Sequence, residues 1–149
     1  MSLEDRTHTA LHVLKGAAAK ILGIKWTTGV SVKGNHGRLT LQFDRKPTEK
    51  EILRIQEEAN RKIREDIPVR VLEMGRNEAE ELWGDLIYDV FLIPESIRRL
   101  QICHIENWNV NACNKKHTGS TGEIGELKIS KTRYRFAKQI LEISYDITE

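Results

Sequence analysis

The sequence contains only two cysteines, Cys103 and Cys113, among 149 residues. This number excludes the disulfide framework of a small secreted protein. No apolar run approaches the roughly 20 residues that cross a bilayer, and the first residues, Met-Ser-Leu-Glu-Asp-Arg, contain no apolar signal region. We therefore expect a cytoplasmic protein without a membrane partner, in which Cys113 stays reduced and available to a metal ion.

An excess of charge of one sign is also missing, because the formal net charge is only +2. Global charge therefore does not indicate a nucleic-acid partner. Local basic groups do occur, for example between Lys131 and Arg135, but such groups usually form solvated surface. Lys115 and Lys116 are a special case, because they lie inside a potential metal-binding loop and would attract a polyanion there. The alternative is that Lys115 and Lys116 only form solvated surface and attract no polyanion.

The periodicity of apolar residues predicts one domain over residues 1–149, with neither an internal repeat nor a low-complexity linker. The predicted elements are a helix over 3–22, a hairpin over 25–44, a helix capped by Thr48 and Glu51 and ending near 66, a strand over 69–74, a short helix capped by Asn77 and ending at 83, a strand over 98–108, a flexible polar loop over 118–125, and strands over 127–136 and 139–147. This order predicts an α+β fold, in which helices pack on a mixed or antiparallel sheet.

Two pairs of residues with the same spacing give the strongest functional signal. His8 and His12 are four residues apart in a predicted helix, so their imidazoles lie on one face. Cys113 and His117 repeat this spacing in a later loop. Three nitrogens and one sulfur suit the four-coordinate preference of zinc. The alternative to a functional ion is one that only staples the first helix to the loop.

The residue after the first histidine excludes one familiar class of zinc enzyme. A helical zinc protease places a glutamate there as general base. In this sequence Thr9 occupies that position, followed by Ala10 and Leu11.

The order of the motifs resembles a known family. Arg6 to His12, Phe43-Asp44, Cys113 to His117 and Thr121 to Gly125 occur in this order in the editing domain of alanyl-tRNA synthetase. In its length the chain resembles the short, free-standing AlaX proteins, which are archaeal trans-editing factors. The chain departs from many members by having Asn-Lys-Lys, not glycines, between Cys113 and His117.

The resemblance implies a zinc-dependent hydrolase that removes serine from mischarged alanine tRNA. An extended form of this prediction adds glycine as a second amino acid that the enzyme removes. It implies the α+β editing fold shared with threonyl-tRNA synthetase, and it makes His8, His12, Cys113 and His117 the zinc ligands. The resemblance also puts the strand of Thr27 beside the zinc. On this strand Thr27 is expected to share a face with Gly29 and Ser31 and to bind the serine hydroxyl. A solvent-facing Thr27 is the alternative.

A second function of a different class remains open, a tRNA-binding module with a structural zinc ion and no hydrolytic activity. The residues leave the general base, the choice between serine and glycine, and the oligomeric state unassigned. Glu123 is the one acidic residue considered as a base, and a structural role in its loop is the alternative.

Overall fold

The computed structural model describes residues 2–91 and 93–149. Within them the chain forms three α-helices and seven β-strands, and none of the helices combines the length and apolar character needed to span a membrane. The elements are α1 (Leu3–Leu22), β1 (Thr27–Lys33), β2 (His36–Gln42), α2 (Glu49–Glu65), β3 (Arg70–Gly75), α3 (Arg76–Trp83), β4 (Arg99–Ile105), β5 (Asn109–Ala112), β6 (Leu127–Arg135) and β7 (Ile140–Ile147).

Helix α1 has the predicted bounds, because local signals define both of its ends. Ser2 and Asp5 form a reciprocal capping box at the N-terminus, which satisfies free backbone N–H groups. Gly23 ends the helix in the left-handed conformation at φ 71°. Between these ends every residue from Thr9 to Ala18 is buried, so the middle of the helix is enclosed on all sides.

The strands form two antiparallel sheets, so the predicted α+β class is confirmed. The larger sheet has the order β1-β2-β7-β6, and the smaller has the order β3-β4-β5. The inner face of the larger sheet packs on α1 and α2 and supplies the centre of the main core. Its fully buried side chains include Leu39, Leu41, Leu141, Ile143 and Tyr145.

Strand β4 joins two hydrophobic cores, as the alternation of its apolar residues predicts. Leu100 and Ile102 pack in a small core with α3, while Cys103 and Ile105 pack in the main core. The predicted strand over 98–108 is too long, because Asn107 turns the chain with φ 56°. The chain then returns as β5, which the sequence-based prediction missed.

Two other local predictions are wrong. Asn77 does not cap α3, because the helix begins one residue earlier and Gly75 is its N-cap. The segment 118–125 is not a flexible loop, because a 3₁₀ helix over Thr121–Ile124 lies in it. Thr121 is fully buried, and its hydroxyl donates a hydrogen bond to the carbonyl of Lys62 at 2.8 Å.

Helix α1 also holds this C-terminal region through Arg6. Its guanidinium group donates hydrogen bonds to the carbonyl oxygens of Glu123, Ile124 and Thr148 at 3.1, 2.8 and 2.5 Å. One side chain therefore fixes the 3₁₀ helix and the end of β7 against α1.

A bulge in β1 changes which side chains face the core. Thr27 pairs with Leu41, but the register then shifts, so that Gly29 pairs with Thr40. Thr27 consequently shares the inner face with Val30 and is 3% exposed. The expectation that it shares a face with Gly29 and Ser31 is wrong, because the extra residue at Thr28 reverses the alternation. The alternative prediction, that Thr27 faces solvent, is wrong as well, because the residue is buried.

The glycine inside α1 is required by close packing. Trp108 lies against Gly16, and its indole Nε1 donates a hydrogen bond to the carbonyl of Val13 at 2.9 Å. A Cβ atom at residue 16 would approach Cε2 of Trp108 to 2.8 Å and two other ring atoms more closely. This contact seats the turn after β4 on the helix.

We predict that Gly16→Ala destabilises the protein. Overpacking costs about 1–3 kcal/mol, which exceeds the gain of about 1 kcal/mol in helix propensity, so the urea midpoint should fall. The control is the same change in a Trp108→Ala background, where the ring is absent and the substitution should be neutral or stabilising. An equal loss in both backgrounds would contradict the packing explanation.

Candidate metal centre

The structure brings His8, His12, Cys113 and His117 together, although they belong to segments 105 residues apart in sequence. The four ligand atoms all lie within 4.8 Å of one another. His8 Nε2 is 3.1 Å from Cys113 Sγ, and His12 Nε2 is 3.2 Å from His117 Nε2. Nitrogen and sulfur atoms of four side chains therefore converge on one point.

These separations fit coordination of a single tetrahedral ion. With zinc–nitrogen bonds of about 2.0 Å and a zinc–sulfur bond of about 2.3 Å, the edges of the tetrahedron are about 3.3–3.5 Å long. The two closest pairs, at 3.1 and 3.2 Å, are already near this length. The group could thus hold a metal ion with small side-chain movements.

His12 is buried and holds a free lone pair toward this point. Asn109 Oδ1 accepts a hydrogen bond from His12 Nδ1 at 3.2 Å, so Nε2 of the neutral ring carries the lone pair. Burial lowers the pKa of His12 well below its usual value, and the neighbouring His117, His8 and Lys15 lower it further. His12 is therefore in the neutral form that binds metals.

The other two histidines share this electrostatic setting. Burial, with a smaller contribution from His8, lowers the pKa of His117 to about 4, and burial together with Lys115 lowers the pKa of His8. Nδ1 of His117 is buried and has no hydrogen-bond partner among the described residues. His12 is buried and His8 and His117 are half-buried, so the cluster offers three neutral imidazoles whose lone pairs a cation or a donor can satisfy.

The two cysteines differ in what they can do. Burial raises the pKa of Cys103 to about 12, and this thiol packs in the main core. Burial also raises the pKa of Cys113, whereas a backbone hydrogen bond from Lys115 opposes the shift. Only Cys113 is near the histidines, so the cluster has one sulfur ligand to offer.

Hydrogen bonds outside the cluster position its loop. Thr9 Oγ1 accepts a hydrogen bond from the backbone N–H of Thr118 at 2.9 Å, directly after His117. Gln101 Nε2 donates to the carbonyls of Cys113 and Lys115 at 3.0 and 3.2 Å. The loop is thus fixed at both ends, to α1 and to β4.

A second buried polar group lies next to the cluster and was missed from the sequence. Lys15, one turn after His12 on α1, donates hydrogen bonds to Asp89 at 2.7 Å and to Asn111 at 2.5 Å. Asn109 and Asn111 alternate along the short strand β5. This polar alternation is the sequence signal that could have found them, but their partners are remote in sequence.

The predicted substrate residues lie in different surroundings. Lys115 and Lys116 are exposed and line a cleft of about 460 Å³ together with His8, Ser31 and the carboxylates of Glu4 and Asp5. Thr27 is buried, and its hydroxyl has no partner among residues 2–91 and 93–149. A larger cleft, about 780 Å³, lies between α2 and the 3₁₀ helix of residues 121–124, but it contains none of the four converging residues.

Thr27 connects to the polar group beside the cluster. Its carbonyl accepts a hydrogen bond from the N–H of Val90 at 3.1 Å, and the neighbouring Asp89 binds Lys15. Its unpaired hydroxyl is therefore a potential contact for a polar ligand, although no hydrogen bond within residues 2–91 and 93–149 joins it to the four converging side chains.

Comparison with known proteins points to one group of enzymes. No family model matches the chain. Curated relatives named alanine–tRNA ligase are 41% identical over 128 residues in Methanococcus aeolicus, 38% over 125 in Methanopyrus kandleri and 40% over 129 in Pyrobaculum neutrophilum. The chain is similar to a segment of alanine–tRNA ligases.

The alignments cover 83–85% of this chain but only 13–14% of these relatives. The similarity thus concerns a module of about one seventh of the ligase length, which is consistent with a module like the ligase's editing domain. It links the chain to proteins that act on tRNA.

We predict that purified protein contains about one zinc ion per chain, as expected for a four-ligand site. His12→Ala or Cys113→Ala should lower the zinc content measured by elemental analysis, because each removes a ligand. His36→Ala is the matched control, since that histidine is exposed and pairs with Asp146 at a hairpin turn. Full zinc content in both ligand variants would contradict the site.

Proposed function

We propose that the chain is a trans-editing deacylase that hydrolyses the ester of alanine tRNA mischarged with serine, and also with glycine. The observation that carries this proposal is the convergence of three neutral histidines and one cysteine in a chain similar to alanine–tRNA ligases. The relatives' name supports a tRNA partner. The buried donor set supports a metal-assisted reaction at the acceptor end.

We propose zinc as the ion, held by His8, His12, Cys113 and His117. Three imidazoles and one thiolate match its borderline-soft character better than that of magnesium or calcium, which prefer oxygen ligands. When bound, zinc supplies Lewis-acid polarisation or orientation of the acceptor end. An aminoacyl ester is already activated, so positioning and oxyanion stabilisation are the main needs.

The protein side chains have separate roles in this proposal. Lys115 and Lys116, at the exposed cleft, attract the phosphates of the acceptor end. The unpaired hydroxyl of Thr27 binds the serine hydroxyl. No side chain is assigned as general base, and Glu123 has another task, because its carboxylate accepts the N–H of Ser120 at 2.8 Å.

One observation favours the second candidate, a tRNA-binding module whose metal is structural. Four protein side chains converge, and four protein ligands fill a tetrahedral shell, as in closed structural zinc sites. Turnover separates the two functions, because the module binds tRNA without cleaving the ester.

We predict that the protein releases serine from Ser-tRNA(Ala) and that Cys113→Ala lowers this rate by at least about 100-fold, through lost positioning and charge stabilisation. The measurement is deacylation of labelled seryl-, glycyl- and alanyl-tRNA(Ala) under single-turnover conditions. His36→Ala should retain the wild-type rate. Tight tRNA binding without release of serine would favour the non-catalytic module.

We also predict that Thr27→Val lowers turnover of the seryl ester about 10- to 100-fold, because a substrate hydroxyl is left unpaired in a buried site. Turnover of the alanyl ester should change little, since alanine has no hydroxyl to pair. Thr28→Val is the matched control, because its hydroxyl binds Thr40 at 2.8 Å on the other side of the strand. Equal effects on both esters would refute the role of Thr27.

A further inference from the structure

The outer face of the larger sheet, which points away from α1 and α2, carries concentrated positive charge. Arg38 lies opposite Ser144, which lies opposite Lys131. In the next row Thr40, Glu142 and Arg133 follow each other across the sheet. The cations at outward positions, called the basic face below, are Lys33, Arg38, Lys128, Lys131, Arg133 and Arg135.

Only two carboxylates, Glu142 and Asp146, share these outward positions. The excess of positive charge on the basic face is therefore larger than the +2 of the whole chain. The net charge of the chain is small although positive and negative side chains are unevenly distributed, because most acidic residues lie outside the basic face. Such separation produces a local field that attracts a polyanion.

Most of this charge is available to a partner. Arg135 pairs with Glu142 at 2.5 Å, but the other five cations form no ion pair within residues 2–91 and 93–149. Arg135, and more weakly Arg38 and Arg133, lower the pKa of Glu142. The charges of these five exposed side chains are therefore not neutralised by ion pairs with carboxylates of the described residues.

The basic face is continuous with the candidate metal centre. Ser31 pairs with Arg38 and also lines the cleft that contains His8, Lys115 and Lys116. From this cleft the row Ser31, Arg38, Ser144 and Lys131 crosses the whole sheet. Arg38 and Lys131 are two strand spacings apart, about 10 Å, so they can contact different phosphates of one backbone.

We infer that the basic face binds the phosphate backbone of the tRNA whose acceptor end lies at the metal centre. This inference rests on the proposed function, which supplies the tRNA. Arginine and lysine side chains on phosphates give binding that is independent of sequence and strongly dependent on salt. Flat β-sheet surfaces with exposed cations suit this kind of contact, since the side chains stand out from the sheet.

The charge and polarity of the basic face argue against a second copy of this chain as the occupant. Two copies meeting through this face would oppose like charges. An apolar contact is also lacking, because the exposed large hydrophobic side chains of the described residues lie at other positions, namely Val30, Leu53, Val71, Leu82, Leu86, Phe91, Ile97 and Phe136. Val30 is on the inner side of β1, and Phe136 follows the end of β6.

The test is the salt dependence of binding to tRNA(Ala) that carries no amino acid. The variant Arg38→Ala/Lys131→Ala/Arg133→Ala, called the sheet variant below, should bind at least about tenfold more weakly. The negative slope of its log affinity against log salt should become shallower by about 2–3, because up to three phosphate contacts vanish. The matched control, Lys46→Ala/Lys50→Ala/Arg54→Ala, removes equal charge from exposed positions around the start of α2. It should keep the wild-type affinity and slope.

Several results would overturn the inference. An unchanged slope in the sheet variant, or equal losses in both variants, would show that the face is not the tRNA surface. Wild-type binding to phosphatidylserine vesicles that the sheet variant loses, with tRNA binding unchanged, would assign the face to a membrane.

Deacylation by the wild-type protein is measured alongside to keep the two proposals apart. Serine release with an unchanged slope in the sheet variant refutes only the interface. A reduced slope in the sheet variant without serine release by the wild type refutes only the proposed enzyme.

Discussion

The convergence of three histidines and one cysteine on one point constrains the rest of this structure. His12 is buried and the other three side chains are half-buried, so the polar atoms that are shielded from water need a cation or donors in return. The surrounding elements hold them in this position. Arg6 and Thr9 of α1 fix the segments after His117, and Asn109 of β5 orients His12. Helix α1 thus joins the C-terminal strands to the potential metal site through polar contacts as well as packing.

The same helix separates two chemical environments. One is the cluster and its exposed cleft, which is lined by Lys115 and Lys116 as well as by the carboxylates of Glu4 and Asp5. The other is the group formed by the buried Lys15 and Asn111 with the partly exposed Asp89, which lies one helical turn further along.

Sequence patterns predicted elements whose signals are local and failed where partners are remote. The capping boxes of α1 and α2 lie within a few residues, so both helices were predicted well. The cap of α3 was missed because Gly75 provides no side-chain signal. The order in segment 118–125 depends on the contacts of Thr121 with Ile67 and Lys62. In the site, ligand spacing was visible in sequence, whereas the partners Asn109 and Asn111 were not.

The bulge at Thr28 has a consequence for how this strand can vary. One extra residue decides which side chains of β1 point inward, since the period of a strand is two. Deleting Thr28 would remove the bulge and keep Val30 inward and Ser31 outward, because Thr27 and Gly29 already pair with adjacent residues of β2. Deleting a residue between Gly29 and Lys33 would instead turn the side chains on one side of the deletion over, altering the inner pocket and the border of the basic face at once. A substitution at Thr27, by contrast, alters only the inner side. Insertions and deletions beyond the bulge therefore couple two surfaces that point substitutions can change independently.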